Sequence, residues 1–386
     1  MPSRFQLPNF RFLKPNPGNP PILAAQADFA LRILRQNSGS FVISPFSIAT
    51  VLAMVYGGAE GETKEEMKEV LAKGIDDSDL HEYLSLIVKK LTKSPAKMSV
   101  EAANKIFVQS GYEILQEYSD FLLCYYKGNL QEVDFKNSEA VAKQINLWVE
   151  RTTHNHIKDL IHPSAFSDLT RLVLVNAVYF KGTWRIKFRR RTTTKETFYT
   201  FAKTEKQVDM MSVKDDFAFA KNKNVSILRL PYTDGDLSMY VVLPTARYGL
   251  EETVAKMGGS DLIELMDQCR TVEVDVKLPK FKLETSISLS ETLQKMGMRQ
   301  AFDENTANFS KITCNRKIAI SEVVHEAFVE VDENGTEAFA GTAAMFTTWG
   351  RTSPEPDFEV FRADHGFLYF IVDTTSKGIL FAGSYC

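Results

Sequence analysis

Three groups of side chains in this sequence have the types and spacing to do chemistry. His154, His156 and His162 fall in the stretch His-Asn-His-Ile-Lys-Asp-Leu-Ile-His and offer imidazoles to a metal ion. A zinc-type site also needs acidic or cysteine partners at ligand spacing, and without them a solvated helix end and loop is preferred, with no metal expected. Tyr56-Gly-Gly-Ala-Glu-Gly-Glu62 has the glycines of a phosphate cradle. Its acidity and the lack of a following lysine favour a plain helix-to-helix turn. Arg185, Lys187, Arg189, Arg190 and Arg191 form the densest basic run, which could hold a polyanion such as a glycosaminoglycan, form an exosite, or be a solvated edge. Lys89, Lys90, Lys93 and Lys97 end a helical pattern, where cations meet the helix dipole favourably.

None of these makes an enzyme. No G-x-S-x-G elbow, H-E-x-x-H pair, P-loop or dinucleotide fingerprint occurs in the sequence, so no catalytic residues and no cofactor are expected. The four cysteines, Cys124, Cys269, Cys314 and Cys386, are scattered and read as free thiols, with one bridge left open. A net charge of -3 in 386 residues gives no global reason to expect nucleic acid. No stretch is long and apolar enough to span a bilayer. The first residues lack a continuous apolar core, so the chain reads as cytoplasmic, or as extracellular with its signal removed. Sequons at Asn224, Asn308 and Asn334 are patterns that chance often supplies.

The elements that must position these residues follow from hydrophobic periodicity. Residues 1–20 form an irregular, proline-rich arm, and 21–386 one folded unit. Helical patterns run from Ile22 to Leu34, Ile48 to Gly57, Lys64 to Lys73, Leu80 to Leu91, Tyr118 to Tyr126 and Ala140 to Thr152. The second is apolar all round, the mark of a buried central helix. Strands dominate from Leu172 to Phe180 onward: Val208 to Met211, Ile227 to Leu230, Ser238 to Leu243, Thr271 to Leu278, Lys280 to Glu284, Val324 to Val331, Phe358 to Arg362, Phe367 to Val372 and Ile379 to Gly383. Helical patterns near Leu250 to Met257 and Leu289 to Met296 interrupt them. Helices first and strands later, with no linker, imply a single α+β domain. Between two strands lies the run Gly335 to Pro354, mostly small residues, and loops of that length are usually functional or disordered.

Val324-Val-His-Glu-Ala-Phe-Val-Glu-Val-Asp-Glu-Asn-Gly-Thr-Glu-Ala338 resembles the strand and proximal hinge of the serpin family. Further motifs look similar and occur in serpin order: Val42-Ile-Ser-Pro-Phe-Ser-Ile, Ala103-Asn-Lys-Ile-Phe-Val, Val133-Asp-Phe, Leu174-Val-Asn-Ala-Val-Tyr-Phe-Lys-Gly-Thr-Trp184, Leu278-Pro-Lys-Phe and Ala363-Asp-His-Gly-Phe-Leu-Tyr-Phe-Ile. The resemblance implies a single-domain serpin fold, about nine helices around three β-sheets, with an exposed reactive-centre loop over about 333–357. It implies a monomer that traps a target serine protease in a covalent one-to-one complex, without nucleic acid or membrane.

It also implies roles for particular residues. Ser44, Ser47, Asn176 and His325 would form the shutter, a polar cluster beneath the central sheet. Trp184, Lys280 and Glu333 would form the breach, with an ion pair between Glu333 and Lys280. The hinge would comprise Glu333, Gly335, Thr336, Glu337, Ala338, Ala340 and Thr342. Alternate strand residues face opposite sides. Thr336, Ala338, Ala340, Thr342 and Ala344, all small and uncharged, would therefore face the core if the loop entered a sheet. Phe339 has the outward parity. Counting the family's usual hinge length reaches Trp349–Gly350 as the reactive-site bond, suiting an apolar primary pocket. Arg351–Thr352 is the alternative, suiting a trypsin-like pocket, and Phe346, Thr348 and Gly350 are further options for the scissile residue. A non-inhibitory serpin and an inhibitor of cysteine proteases are the alternative functions. Ser40 stands where the family often has asparagine, a change expected to loosen one polar contact.

Overall fold

A computed structural model describes residues 20–91, 99–233, 235–314, 317–334 and 358–386. Among these, nine α-helices form: α1 (Pro20–Arg35), α2 (Pro45–Tyr56), α3 (Gly61–Leu71), α4 (Asp77–Leu91), α5 (Gln116–Tyr126), α6 (Ser138–Thr152), α7 (Leu250–Lys256), α8 (Gly259–Asp267) and α9 (Ser290–Lys295). The strands are β1 (Phe41–Ile43), β2 (Ser99–Gln109), β3 (Leu130–Val133), β4 (Leu172–Lys181), β5 (Thr194–Tyr199), β6 (Glu205–Lys221), β7 (Val225–Pro231), β8 (Leu237–Pro244), β9 (Arg270–Pro279), β10 (Phe281–Ser288), β11 (Ile320–Val331), β12 (Glu359–Arg362), β13 (Phe367–Asp373) and β14 (Ile379–Tyr385). The predicted arm over residues 1–20 lies outside the described residues except for Pro20, which opens α1.

Helix α2 is central because it is mostly apolar and its few hydroxyls are hydrogen-bonded within the protein: all twelve of its residues are buried. It starts at Pro45, three residues before the predicted Ile48, because Ser44 caps it and proline at the first helical position loses no hydrogen bond. Beneath it lies a five-stranded sheet in the order β10-β11-β4-β2-β3. Residue parity along β4 sorts the side chains. Leu172, Leu174, Val178 and Phe180 face the main core with α2, whereas Val173, Val175, Ala177 and Tyr179 join a second core with Val141, Ile145 and Val149 of α6. This sheet is therefore apolar on both faces, with a helix over each.

The other strands form a nine-stranded array, β1-β14-β13-β8-β7-β6-β9-β12 with β5 on β6. Two sheets were expected here, and β6 fuses them. Its first six residues pair with β5, its last four with β7, and Met210 to Phe219 with β9. Strand β6 extends well past the predicted Val208–Met211, the pattern having been interrupted by charged Lys214, Asp215 and Asp216 at exposed positions. Strands β2, β3 and β5 and helix α8 were not foreseen. Gly259 begins α8 where a Cβ would come within 2.2 Å of the Ala24 carbonyl on α1. Glycine there permits the close α1–α8 contact.

Candidate functional site

The site is a seam. Strands β11 and β4 lie side by side and parallel, in register from Ile320↔Leu172 to Phe328↔Tyr179. Past that point they part company as partners. The remainder of β11 pairs with β10, up to Val331↔Phe281, and the remainder of β4 with β2, up to Lys181↔Ser99. Parallel pairs are slightly weaker per residue than antiparallel ones. Both outer contacts of the seam strands, with β10 and β2, are antiparallel.

Polar groups lock the middle of this seam on the α2 face. Asn104, Asn176 and His325 stand in one row across β2, β4 and β11, through the register pairs Asn104↔Asn176 and His325↔Asn176. Asn176 and His325 are fully buried and Asn104 is 8% exposed. Ser44 donates its backbone N–H to His325 Nε2 at 3.1 Å, which leaves the proton on Nδ1 to be donated to Asn176 Oδ1. Asn176 Nδ2 donates to Ser47 Oγ at 2.5 Å and to Asn104 Oδ1. Ser47 Oγ donates to Asn104 Oδ1 at 2.6 Å, and Ser44 Oγ to the Leu380 carbonyl at 2.6 Å. Burial pushes the His325 pKa down to about 3, so the ring stays neutral and the donor pattern stays fixed. The four shutter candidates thus meet in one network, which ties α2 to both seam strands.

Asn104 is the member that the sequence reading missed. On β2 it shares a face with Ile106 and Val108, both fully buried. A lone amide on an apolar strand face needs a buried partner, and that was the available signal.

The end of the seam is held differently. Lys280 Nζ lies 2.8 Å from Glu333 Oε2, the pairing expected there, and Thr193 Oγ1 donates to Glu333 Oε1 at 2.9 Å. Trp184 donates its indole N–H to the Asp332 carbonyl and its backbone N–H to that of Asn334, both at 2.9 Å, while Phe188 N–H reaches the Glu333 carbonyl at 3.0 Å. The buried Trp184 ring stacks on Tyr232 at 4.4 Å. Burial raises the Glu333 pKa, but hydrogen bonds from Lys280, its own backbone and Thr193 outweigh it and hold the carboxyl low. The residues that lead out of β11 are therefore clamped, side chain and backbone, to the segment following β4.

On the α6 face the seam is closed by rings. Tyr179 and Phe328, the last register pair, stack at 5.4 Å, and His156 lies flat on Tyr179 at 3.6 Å. The three histidines do not converge: His154 Nδ1 contacts Glu101 at 2.9 Å and His162 caps Ser164. All four cysteines are free. Ser40 is not loose, because its hydroxyl donates to the Cys386 carbonyl at 2.9 Å and accepts from the Cys386 N–H at 2.8 Å. Gly335, Thr336, Glu337, Ala338, Ala340 and Thr342 of the hinge, and the bonds Trp349–Gly350 and Arg351–Thr352, lie outside the described residues.

A two-faced sheet with a locked parallel seam, whose last strand runs into a long segment that rejoins the second sheet at β12, defines a particular class of protein. The chain belongs to the serpin family: the family model, described as serpin (serine protease inhibitor), matches residues 24–386. A serpin-like protein of Thermococcus kodakarensis is 38% identical over 370 residues, covering 94% of this chain and 85% of that protein. Among solved structures, the thermophilic serpin tengpin in its native state matches with a TM-score of 0.85 at 27% identity, over 94% of this chain and 93% of its own. Uncleaved ovalbumin matches with a TM-score of 0.81 at 29% identity, over 94% and 98%.

Proposed function

We propose that this chain is a suicide-substrate inhibitor of serine proteases. Serpins are in general inhibitors, not catalysts, though some, ovalbumin among them, do not inhibit. The observation that carries the reading is the direction of the seam strands. Chain leaving β11 beyond Asn334 and doubling back between β11 and β4 would run antiparallel to both, so one new strand could pair on each side with the stronger geometry. The alternating small residues Thr336, Ala338, Ala340, Thr342 and Ala344 suit the core-facing side of that strand. In this mechanism the protease attacks the bait bond, after Trp349 or after Arg351, and forms an acyl-enzyme. The freed loop then inserts, and Thr336 to Trp349 fully extended spans roughly 45 Å, enough to drag the tethered protease across the molecule. The distorted enzyme deacylates slowly and stays trapped.

Incubation with chymotrypsin and with trypsin is expected to give an SDS-resistant complex, and loop-nicked protein is expected to melt well above the intact form. Mass spectrometry of the released C-terminal peptide distinguishes cleavage after Trp349 from cleavage after Arg351. Plain digestion of the loop across a panel of serine and cysteine proteases, with no complex and no thermal gain, would place the chain with the non-inhibitory serpins.

A further inference from the structure

Resting on the inhibitor reading above, we propose that the basic segment from Arg185 to Arg191 is a docking surface for the target protease and selects one whose surface beside the cleft is acidic. The side chains of Arg185, Lys187, Arg189, Arg190 and Arg191 are all exposed, and none makes a hydrogen bond or ion pair with a described residue. Other lysines of the same end are matched: Lys195 with Asp209, Lys214 with Glu273, Lys277 with Glu196 and Lys221 with Glu359. The two carboxylates of the strand end to which this segment is bonded are engaged elsewhere. Glu333 is held by Lys280 and Thr193, and Asp332 Oδ1 accepts the Asn334 N–H at 2.8 Å. Five uncompensated cations therefore sit together on a chain whose net charge is -3.

Position decides what they face. The segment is bonded to the root of the loop through Trp184 N–H to the Asn334 carbonyl and Phe188 N–H to the Glu333 carbonyl. It is tied to the sheet that receives the loop's far end, because Thr192 Oγ1 donates to the Ser212 carbonyl at 2.8 Å, Ser212 registers with Lys277 of β9, and Lys277 with Arg362 of β12. The basic segment thus lies at the end of the molecule where the described chain leaves one sheet at Asn334 and resumes at Phe358, just before β12 of the other. A protease engaged on that loop is brought over the cations, whereas a sulfated polysaccharide has no such reason to be there. Unpaired charges beside a docking point act mainly on encounter, raising the association rate in a salt-dependent way.

The test compares wild type with the combined Arg189→Gln, Arg190→Gln, Arg191→Gln variant, using the anionic and cationic isoforms of trypsin and of chymotrypsin. Wild type is expected to associate faster with the anionic isoform of whichever enzyme it traps, with a steep fall at high salt. The variant is expected to lose about tenfold of that rate and most of the salt dependence, with its melting temperature and its rate against the cationic isoform unchanged. Equal rates and equal salt slopes for wild type and variant, with complexes still forming, would overturn the docking surface and leave the inhibitor reading standing. No complex with any isoform would end the inhibitor reading and the docking surface with it. Retention of wild type but not variant on a sulfated-polysaccharide column, with protease rates unchanged, would overturn the proposal in favour of a polyanion site.

Discussion

The middle and the end of the β11–β4 seam are held by opposite chemistries. In the middle, Ser44, Ser47, Asn104, Asn176 and His325 form an uncharged network in which Asn176 and His325 are fully out of water. At the end, an ion pair does the holding, with the Glu333 side chain 5% exposed and that of Lys280 37% exposed. A neutral buried network is indifferent to salt but cannot lose a member without orphaning its neighbours. A half-exposed ion pair tolerates change, but salt screens it. On the inhibitor reading proposed above, a seam held this way would part first at its end, where the clamp yields to conditions, and in its middle only when strands and α2 separate together.

The largest effect is expected from breaking the middle. Asn176→Ala strands the buried His325 Nδ1–H and removes a donor from both Ser47 and Asn104, which keep only the bond between them. Leaving such groups unsatisfied should destabilise the native form by about 3 kcal/mol. Urea denaturation should show a clearly lower first midpoint, and inhibitory activity should decay faster on storage. An unchanged midpoint would mean that the network does not lock the seam. Asn104→Ala, which leaves the His325 bond in place, should cost about half as much.

Acid should attack the same place. His325 holds its pKa near 3 against an ordinary value of 6.5, so the unfolded chain binds a proton that the native form refuses. Its contribution is complete above pH 6.5 and is lost as pH falls toward 3. Buried His81, held near 4, acts in the same sense. Glu326, on the α6 face, has the opposite sign: burial first, then the charge of Glu284, raise it to about 7. Its contribution is complete below 4.5 and is lost as pH rises through 7. Stability should therefore fall from pH 6.5 downward, by at most about 1.4 kcal/mol per pH unit for each proton, with Glu326 offsetting part of it above 4.5. His325→Gln should flatten the slope and Glu326→Gln should steepen it between pH 4.5 and 6.5. A wild-type slope in His325→Gln would show that the titration lies elsewhere.

The seam's two locks were not equally legible in the sequence. Ser44, Ser47, Asn176 and His325 were placed by motif resemblance and lie in one hydrogen-bonded network, whereas of Trp184, Lys280 and Glu333, placed likewise, Lys280 pairs with Glu333 while Trp184 bonds to the neighbouring Asp332 and Asn334 carbonyls. Asn104 escaped because β2 itself was not read as a strand: Lys105 beside it and the alanines before it blur the alternation. Most of the long strand β6 beyond Val208–Met211 escaped because Lys214, Asp215 and Asp216 sit at exposed positions, where polarity costs nothing but reads as a loop. Helix α8 escaped because its opening glycine, Gly259, serves a close helix contact that only the tertiary structure reveals. What periodicity cannot carry is partner choice across long separations, such as Asn176 with His325 or Trp184 with Asp332. Those pairings exist only once the sheets have closed.

The smallest effect is expected at the end of the seam, and it sharpens the contrast most. Glu333→Gln removes the charge but can keep a hydrogen bond with Thr193, so its cost should be well under 1 kcal/mol. Lys280→Met leaves a buried carboxylate with Thr193 and backbone contacts alone and should cost about 1 kcal/mol, most of it recovered at a pH low enough to protonate Glu333. Trp184 is a built-in reporter, since its ring is buried against Tyr232 and its indole N–H is bonded to the strand end. In a Trp148→Phe, Trp349→Phe background, its fluorescence should shift toward the red at high salt in wild type. The same shift should be present already at low salt in Lys280→Met. The salt response should be absent in Glu333→Gln, where no ion pair remains to be screened. A salt response that survives in Glu333→Gln would show that the clamp is the backbone bonding of Trp184 and Phe188 and that the ion pair merely accompanies it.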